Sequence, residues 1–305
     1  MTILDELAEF CDAVAARGWH EYNGGNVSVL VDESHVKDIV RVYELLEAQN
    51  AQESCACAVS VDECERTASR TYELAVPVAD MAHRYLLVTA SGCLMKNVAG
   101  HLERDTGLIQ INENGQSYSV IAGFTQSKRP TSELMCHVML HSARMKSSQD
   151  HRVVYHAHTP RLIALSHVIH PLTSNRLTAE LWSTFTECPL FCPRGIGVVD
   201  FCVPGSLELA QESVKAAAFY QAALWAKHGI CVWGASLDDV FGLVETAEKA
   251  AGIALDVRST TSVLATSVPV YDIQRGVTML AKDDLLHMDE QLHLGLNTDV
   301  LDAWE

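Results

Sequence analysis

Val153-Val154-Tyr155-His156-Ala157-His158-Thr159-Pro160 is the stretch that decides the fold. Its β-branched and aromatic residues favour a strand. Thr159-Pro160 then reads as a helix start, with Thr159 as N-cap and Pro160 at the first helical position. Residues i and i+2 of a strand share a face. His156 and His158 therefore present two imidazoles side by side, which suits a metal ion. Two histidines leave a site open, so other side chains must complete it.

Upstream, residues 2–17 carry apolar side chains at helical spacing (Ile3, Leu4, Leu7, Phe10, Val14), with Thr2 as a cap and Gly18 as a stop. Asn23-Gly24-Gly25-Asn26 is a turn with easy access to positive φ, and the strand Val27–Val31 follows. Such a turn can offer successive N–H groups to a phosphate. Residues 32–76 read as an insertion, with helices expected near 36–48 and 62–75. Tyr85–Thr89 is a strand leading into Ala90-Ser91-Gly92, a second small turn. Leu108–Asn112 and Ser117–Ala122 fit a hairpin. Pro130-Thr131-Ser132-Glu133 is expected to open a helix reaching about Lys146.

Downstream of the His156 strand, helices are expected from Pro160, around Leu177–Thr184, from Gly205 to Lys227, from Ser236 to about Val257, and near 280–293. Ile230–Trp233 reads as a buried strand. Strands and helices mix without a regular βαβ rhythm. The fold class is therefore α/β, a layered sandwich around a mainly antiparallel sheet, read as one domain over 1–305.

The chain has 305 residues, 48% of them hydrophobic, which is enough for a sizeable core. With 39 acidic against 22 basic residues, the net charge is −17. No basic block is present to track a nucleic-acid backbone. A small anion remains an acceptable ligand, because N–H groups and a bound cation set a local field opposite to the global one. The N-terminus lacks a signal-peptide pattern, and no apolar run reaches the ~18 residues of a membrane span. The ten cysteines form no C-x-x-C pair. Reduced thiols in a cytoplasmic protein are the expectation.

Among 14 histidines, three others compete to complete the His156/His158 site. His137 and His141 lie four apart on the 132–146 helix, one turn beyond Glu133. That Glu/His/His stripe is a possible metal site and equally a semi-buried polar stripe. His228 sits before Gly229 at what reads as a helix end, where a histidine often serves as a C-terminal cap.

Asn23-Gly24-Gly25-Asn26, Thr89-Ala90-Ser91-Gly92, Pro130-Thr131-Ser132-Glu133, His156-Ala157-His158 and Lys227-His228-Gly229 occur in an order that resembles the class II aldolases of the aldolase/adducin family. The resemblance implies an assignment that spacing leaves open. It makes His156, His158 and His228 the ligands of one Zn2+ per subunit and leaves His137 and His141 as non-ligands. It makes Glu133 the catalytic proton carrier. It places the substrate phosphate against Asn23, Asn26, Ser91, Gly92, Thr131 and Ser132. Glu187 matches a second glutamate that, in one branch of the family, enters from a neighbouring subunit. A homotetramer with sites at its interfaces, acting on a ketose 1-phosphate, is the implied assembly. Other activities on the same scaffold remain open: a related sugar-phosphate aldolase or epimerase, or a non-catalytic adducin-like module.

Overall fold

A computed structural model describes residues 2–54, 70–126, 128–267 and 279–304. Helix α1 (Ile3–Ala16) begins at Thr2, whose side chain and Asp5 form a reciprocal capping box. Its buried stripe is Leu4, Leu7, Phe10, Cys11 and Val14, as the helical spacing predicts. After the Asn-Gly-Gly-Asn turn comes β1 (Asn26–Val31), then α2 (Glu33–Ser54). Ile39 and Tyr43 of α2 are buried, and Tyr43 Oη lies 2.6 Å from Thr106 Oγ1. The helix expected near 62–75 falls mostly outside the described residues. Its end is instead the short strand β2 (Thr71–Glu73), which pairs with β5.

The expected strands follow as β3 (Tyr85–Thr89), β4 (Thr106–Ile111) and β5 (Ser117–Gly123), with the short α3 (Leu102–Asp105) before β4. Next are α4 (Leu134–Ser147), β6 (Val153–Ala157), α5 (Pro160–Val168), α6 (Ser174–Trp182) and α7 (Glu187–Phe191). The remaining labelled elements are β7 (Ile196–Val199), α8 (Leu207–Ala217), β8 (Ala222–Trp225), β9 (Gly229–Gly234) and α9 (Leu237–Ser267). Helices at Lys282–Leu292 and Thr298–Asp302 complete the described chain.

The strands form one nine-stranded sheet in the order β2-β5-β4-β3-β1-β6-β9-β8-β7. Every pairing is antiparallel except β7 with β8. Helices cover both faces, so the layered α/β sandwich stands. The period of two assigns the faces. Val153, Tyr155 and Ala157 join the core built with α1, α5 and α9. Val154, Cys231 and Trp233 join Leu140 of α4 and Leu209 of α8 on the opposite face. His156 shares the α4 side with Val154. Asn26 and Ser28 of neighbouring β1 point the same way, with Asn26 opposite His156 and Ser28 opposite Val154 in the register.

Helix ends and caps depart from expectation in several places, with α9 running on to Ser267 past the expected end near Val257. The 205–227 segment is not one helix: α8 stops at Ala217, and β8 occupies 222–225. Ala222 and Ala223 are good helix formers, but β8 is claimed by β7 on one side and β9 on the other, and all its residues are buried. Tertiary pairing outweighs local propensity here. The helix after Pro130 starts at Leu134, with Glu133 in the cap position and no side-chain cap; Thr131 and Ser132 precede it as a turn. Thr159 occupies the N-cap of α5 without capping it. The Glu248 carboxylate from α9 does that work, accepting from the N–H groups of Arg161 at 2.8 Å and Leu162 at 3.0 Å.

Candidate functional site

His156 lies in the middle of the sheet, and its register partner on β9 is Cys231. His158 follows just beyond the strand end, with its backbone N–H donating to Trp19 O at 2.9 Å. With residues 222–225 in β8, His228 lies away from any helix end. It is no helix cap but sits in the three-residue connection between Trp225 and Gly229, a tight β8–β9 hairpin with Lys227 at φ +63°. That hairpin tip brings the His228 ring to 4.8 Å from the His156 ring and 5.0 Å from the His158 ring. One nitrogen from each of the three lies within 4.8 Å of the others.

Hydrogen-bond partners set the tautomers. The carbonyl of Ile230 can only accept, so His156 Nδ1–H donates to it at 3.0 Å. The ionised Glu21 carboxylate likewise accepts from His158 Nδ1–H at 2.5 Å. In their neutral, ligating forms both imidazoles then turn an Nε2 lone pair toward each other, at 3.1 Å. Two facing lone pairs repel unless a cation lies against them. His228 Nδ1 is buried without a hydrogen-bond partner among the described residues. These groups fit a metal ion, with outer partners fixing ring orientation. Burial first, and then the neighbouring imidazoles, pulls His156 far below the ordinary histidine range. His228 falls to about 4, chiefly through burial. His156 and His228 are thus neutral, as ligation requires.

The floor beneath the triad is Trp225, whose ring centroid is 4.2 Å from His156 and 5.1 Å from His228. Its Nε1–H donates to Ser213 Oγ at 2.9 Å. Glu133 stands beside the triad, with Oε2 3.8 Å from His156 Nε2. Burial raises its pKa above the ordinary carboxylate value, and the hydrogen bond from Asn26 Nδ2 (2.8 Å) partly offsets this. A buried carboxyl that holds a proton more readily than usual suits proton transfer.

The Asn-Gly-Gly-Asn turn is fitted directly against the triad. A Cβ on Gly24 would fall 2.6 Å from His158 Nδ1, and one on Gly25 would fall 2.7 Å from His156 O and collide with His20. His20 Nδ1–H donates to Gly24 O, and its Nε2 accepts from Tyr155 Oη, both at 2.8 Å. Asn23 is exposed at the turn. The other proposed phosphate contacts come from two adjacent segments. Ser91 N donates to Arg129 O at 2.8 Å, Thr131 N to Thr89 O at 3.0 Å, and Ala90 bridges Pro130. Thr131 Oγ1 accepts from Glu133 N at 3.3 Å. Gly92 (φ +70°) lies near Lys128, whose Nζ is 3.5 Å from Ser91 O.

Several of these residues carried no sequence signal. Glu21 touches His158 and Trp225 touches His156 across long stretches of sequence, and Lys128 is half of the adjacent basic pair Lys128-Arg129 in an acidic chain. Glu187 is not brought to the triad within the chain. It is exposed at the start of α7, and its carboxylate accepts from Thr186 Oγ1 at 3.0 Å. The His137/His141 stripe is buried and bonded to Ser28, Asn26 and His151.

This geometry meets a sequence match. The profile of the class II aldolase and adducin N-terminal domain matches residues 5–255. The chain belongs to that family. It is 34% identical over 250 residues to a rhamnulose-1-phosphate aldolase of Listeria monocytogenes serotype 4b, covering 82% of this chain and 83% of the relative. It is 35% identical over 245 residues to a rhamnulose-1-phosphate aldolase of Mannheimia succiniciproducens, covering 80% and 81%. Among solved structures it resembles a sugar-phosphate aldolase from Thermotoga maritima, with a TM-score of 0.66, 27% identity, and 84% and 95% of the two chains covered. Class II aldolases are metal-dependent, and the histidine triad of this class II aldolase chain can hold a metal.

Proposed function

We propose that this class II aldolase is a zinc enzyme that cleaves L-rhamnulose 1-phosphate to dihydroxyacetone phosphate and L-lactaldehyde. The carrying observation is the pair of imidazoles locked by Ile230 O and Glu21 so that their Nε2 lone pairs converge, with Glu133 alongside. The named relatives at about one-third identity support the substrate.

In the cleavage direction the C4 hydroxyl gives up its proton, the C3–C4 bond breaks, and its electron pair delocalises over C3 and the C2 carbonyl. His156, His158 and His228 would hold Zn2+, which when bound would supply Lewis acidity toward the oxygen on which charge develops. Glu133 delivers the proton to C3 that completes dihydroxyacetone phosphate and removes it in the reverse reaction. Asn23, Asn26, Ser91, Gly92, Thr131 and Ser132 hold the phosphate end in register, with Lys128 adding a cation nearby. Oriented binding of this kind removes much of the entropic barrier.

Glu187 is the acceptor for the C4 hydroxyl proton, offered to the site of an adjacent subunit in a homotetramer. Two features support this part of the reading. Glu187 has no tie to its own triad, and Leu190 and Phe191 on the same short helix expose apolar side chains.

The test is a panel of ketose 1-phosphates assayed for dihydroxyacetone phosphate, with metal content measured on the same samples. Cleavage of the rhamnulose ester first among the panel, lost on chelation, restored by Zn2+ and abolished by Glu133→Gln, is the expected result. Full turnover in verified metal-free protein, or preference for another ester, overturns it.

A further inference from the structure

A line of buried polar side chains runs from Glu133 away from the proposed reaction centre. Asn26 Nδ2 is 2.8 Å from Glu133 Oε2, and Asn26 Oδ1 is 2.5 Å from His137 Nε2. His137 Nδ1 is 2.6 Å from Ser28 Oγ, and Ser28 Oγ is 2.8 Å from His141 Nε2. His141 Nδ1 is 2.8 Å from His151 Nε2. Asn26, Ser28, His137, His141 and His151 are all buried.

Donor and acceptor rules give this line one direction. An ionised Glu133 only accepts, so the Asn26 amide must donate, and its oxygen must then receive the His137 Nε2–H. His137 Nδ1 is left as a lone pair that takes the Ser28 hydroxyl proton. Ser28 Oγ receives the His141 Nε2–H, and His141 Nδ1 receives the His151 Nε2–H. Every donor points toward the carboxylate. Burial keeps the imidazoles neutral, with His137 drawn to about 3 and His151 to about 4, so no member has a spare proton that would scramble the order.

An amide is nearly symmetric in shape, so packing alone cannot decide which end faces Glu133. We infer that His137, backed by Ser28, His141 and His151, is a positioning residue that holds the Asn26 amide with its N–H toward Glu133. Without the His137 donor, Asn26 Oδ1 loses its hydrogen-bond partner and the amide is held only at its Glu133 end, so amide and carboxylate shift together and Glu133 is swung off its aim. The line carries orientation rather than protons, because an amide in the middle is a poor proton relay. This inference rests on the aldolase reading only for its kinetic consequence.

The direct test is 15N NMR of the full-length, metal-loaded protein labelled at histidine, with signals assigned by single substitutions. His137, His141 and His151 should all be neutral with the proton on Nε2. A proton on His137 Nδ1 overturns the inference, whatever the protein's substrate. In the kinetic arm, His137→Leu should lower kcat by roughly tenfold or more with KM within about twofold, since misaimed catalytic groups act on the chemical step. His137→Gln, which returns an N–H near the same place, should recover most of that loss. Should His137→Leu fail to fold, Ser28→Ala serves instead, with a weaker fall in kcat and a mixed His137 tautomer expected. A folded, metal-loaded His137→Leu or Ser28→Ala protein with unchanged kcat overturns the inference, as does a Gln variant no better than Leu.

Discussion

Glu21 Oε1 accepts the Nδ1–H of His158 at 2.5 Å, so an exposed acid in the loop before β1 dictates which nitrogen of a candidate metal ligand carries the lone pair. Outer partners of ligating histidines typically contribute 10–100-fold in metal affinity. Glu21→Ala should weaken metal binding by about that factor while leaving the fold intact, because the residue is exposed. Competition against a fluorescent chelator measures it. Unchanged affinity would mean that His158 is oriented by packing alone.

Gly24 is pressed against the same imidazole. Its added Cβ would fall 2.6 Å from His158 Nδ1. Gly24→Ala should therefore displace the ring, break its bond to Glu21 and lower metal affinity at least as much as Glu21→Ala. Gly25→Ala should be worse for stability, because Gly25 also lies at φ +75°, where a side chain adds about 1–2 kcal/mol of strain. Melting curves of the two variants, with and without metal, separate the effects.

Acid should destabilise the metal-free protein well before its carboxylates are protonated. Burial lowers His20 to about 4, His137 to about 3 and His151 to about 4. The unfolded chain, with histidines near 6.5, binds more protons than the folded one below that value. The stability is therefore fully present above about pH 6.5 and falls with pH toward the folded-state values. Between pH 6.5 and 5 the loss is about 2 kcal/mol per such histidine. Denaturant melts of the apo protein at pH 7.5, 6 and 5 test this; a flat profile would show that these rings ionise without unfolding.

The α5 helix start should depend on a residue more than eighty positions away. Glu248 accepts from the N–H groups of Arg161 and Leu162, and it is half-buried. Glu248→Ala should cost about 1–3 kcal/mol, the penalty of leaving helix-end donors unpaired. Glu248→Gln, which keeps one acceptor, should cost less. Urea unfolding midpoints give the ranking, and an Ala variant as stable as the parent would refute the capping role.

Much of this protein was legible in the chain. The β-branched and aromatic run Val153–Tyr155 reads as a strand that leads into His156 and, just past its end, His158, and side-chain direction in a strand follows from period two alone. The α1 stripe and the hairpin around Asn114-Gly115 were equally local matters. The motif order brought the family, and with it His228 and Glu133. What no local rule supplied was partnership. The segment 205–227 looked helical because its alanines favour a helix, yet β7 and β9 claim residues 222–225, and that pairing alone turns His228 from a helix cap into the tip of a hairpin facing the triad. His137 and His141 had good ligand spacing, but Ser28 and Asn26, on a strand more than a hundred residues earlier, occupy their nitrogens. Sequence determines which groups a stretch presents and on which face. Which of them meet is settled by long-range packing and by the need to satisfy every buried donor and acceptor.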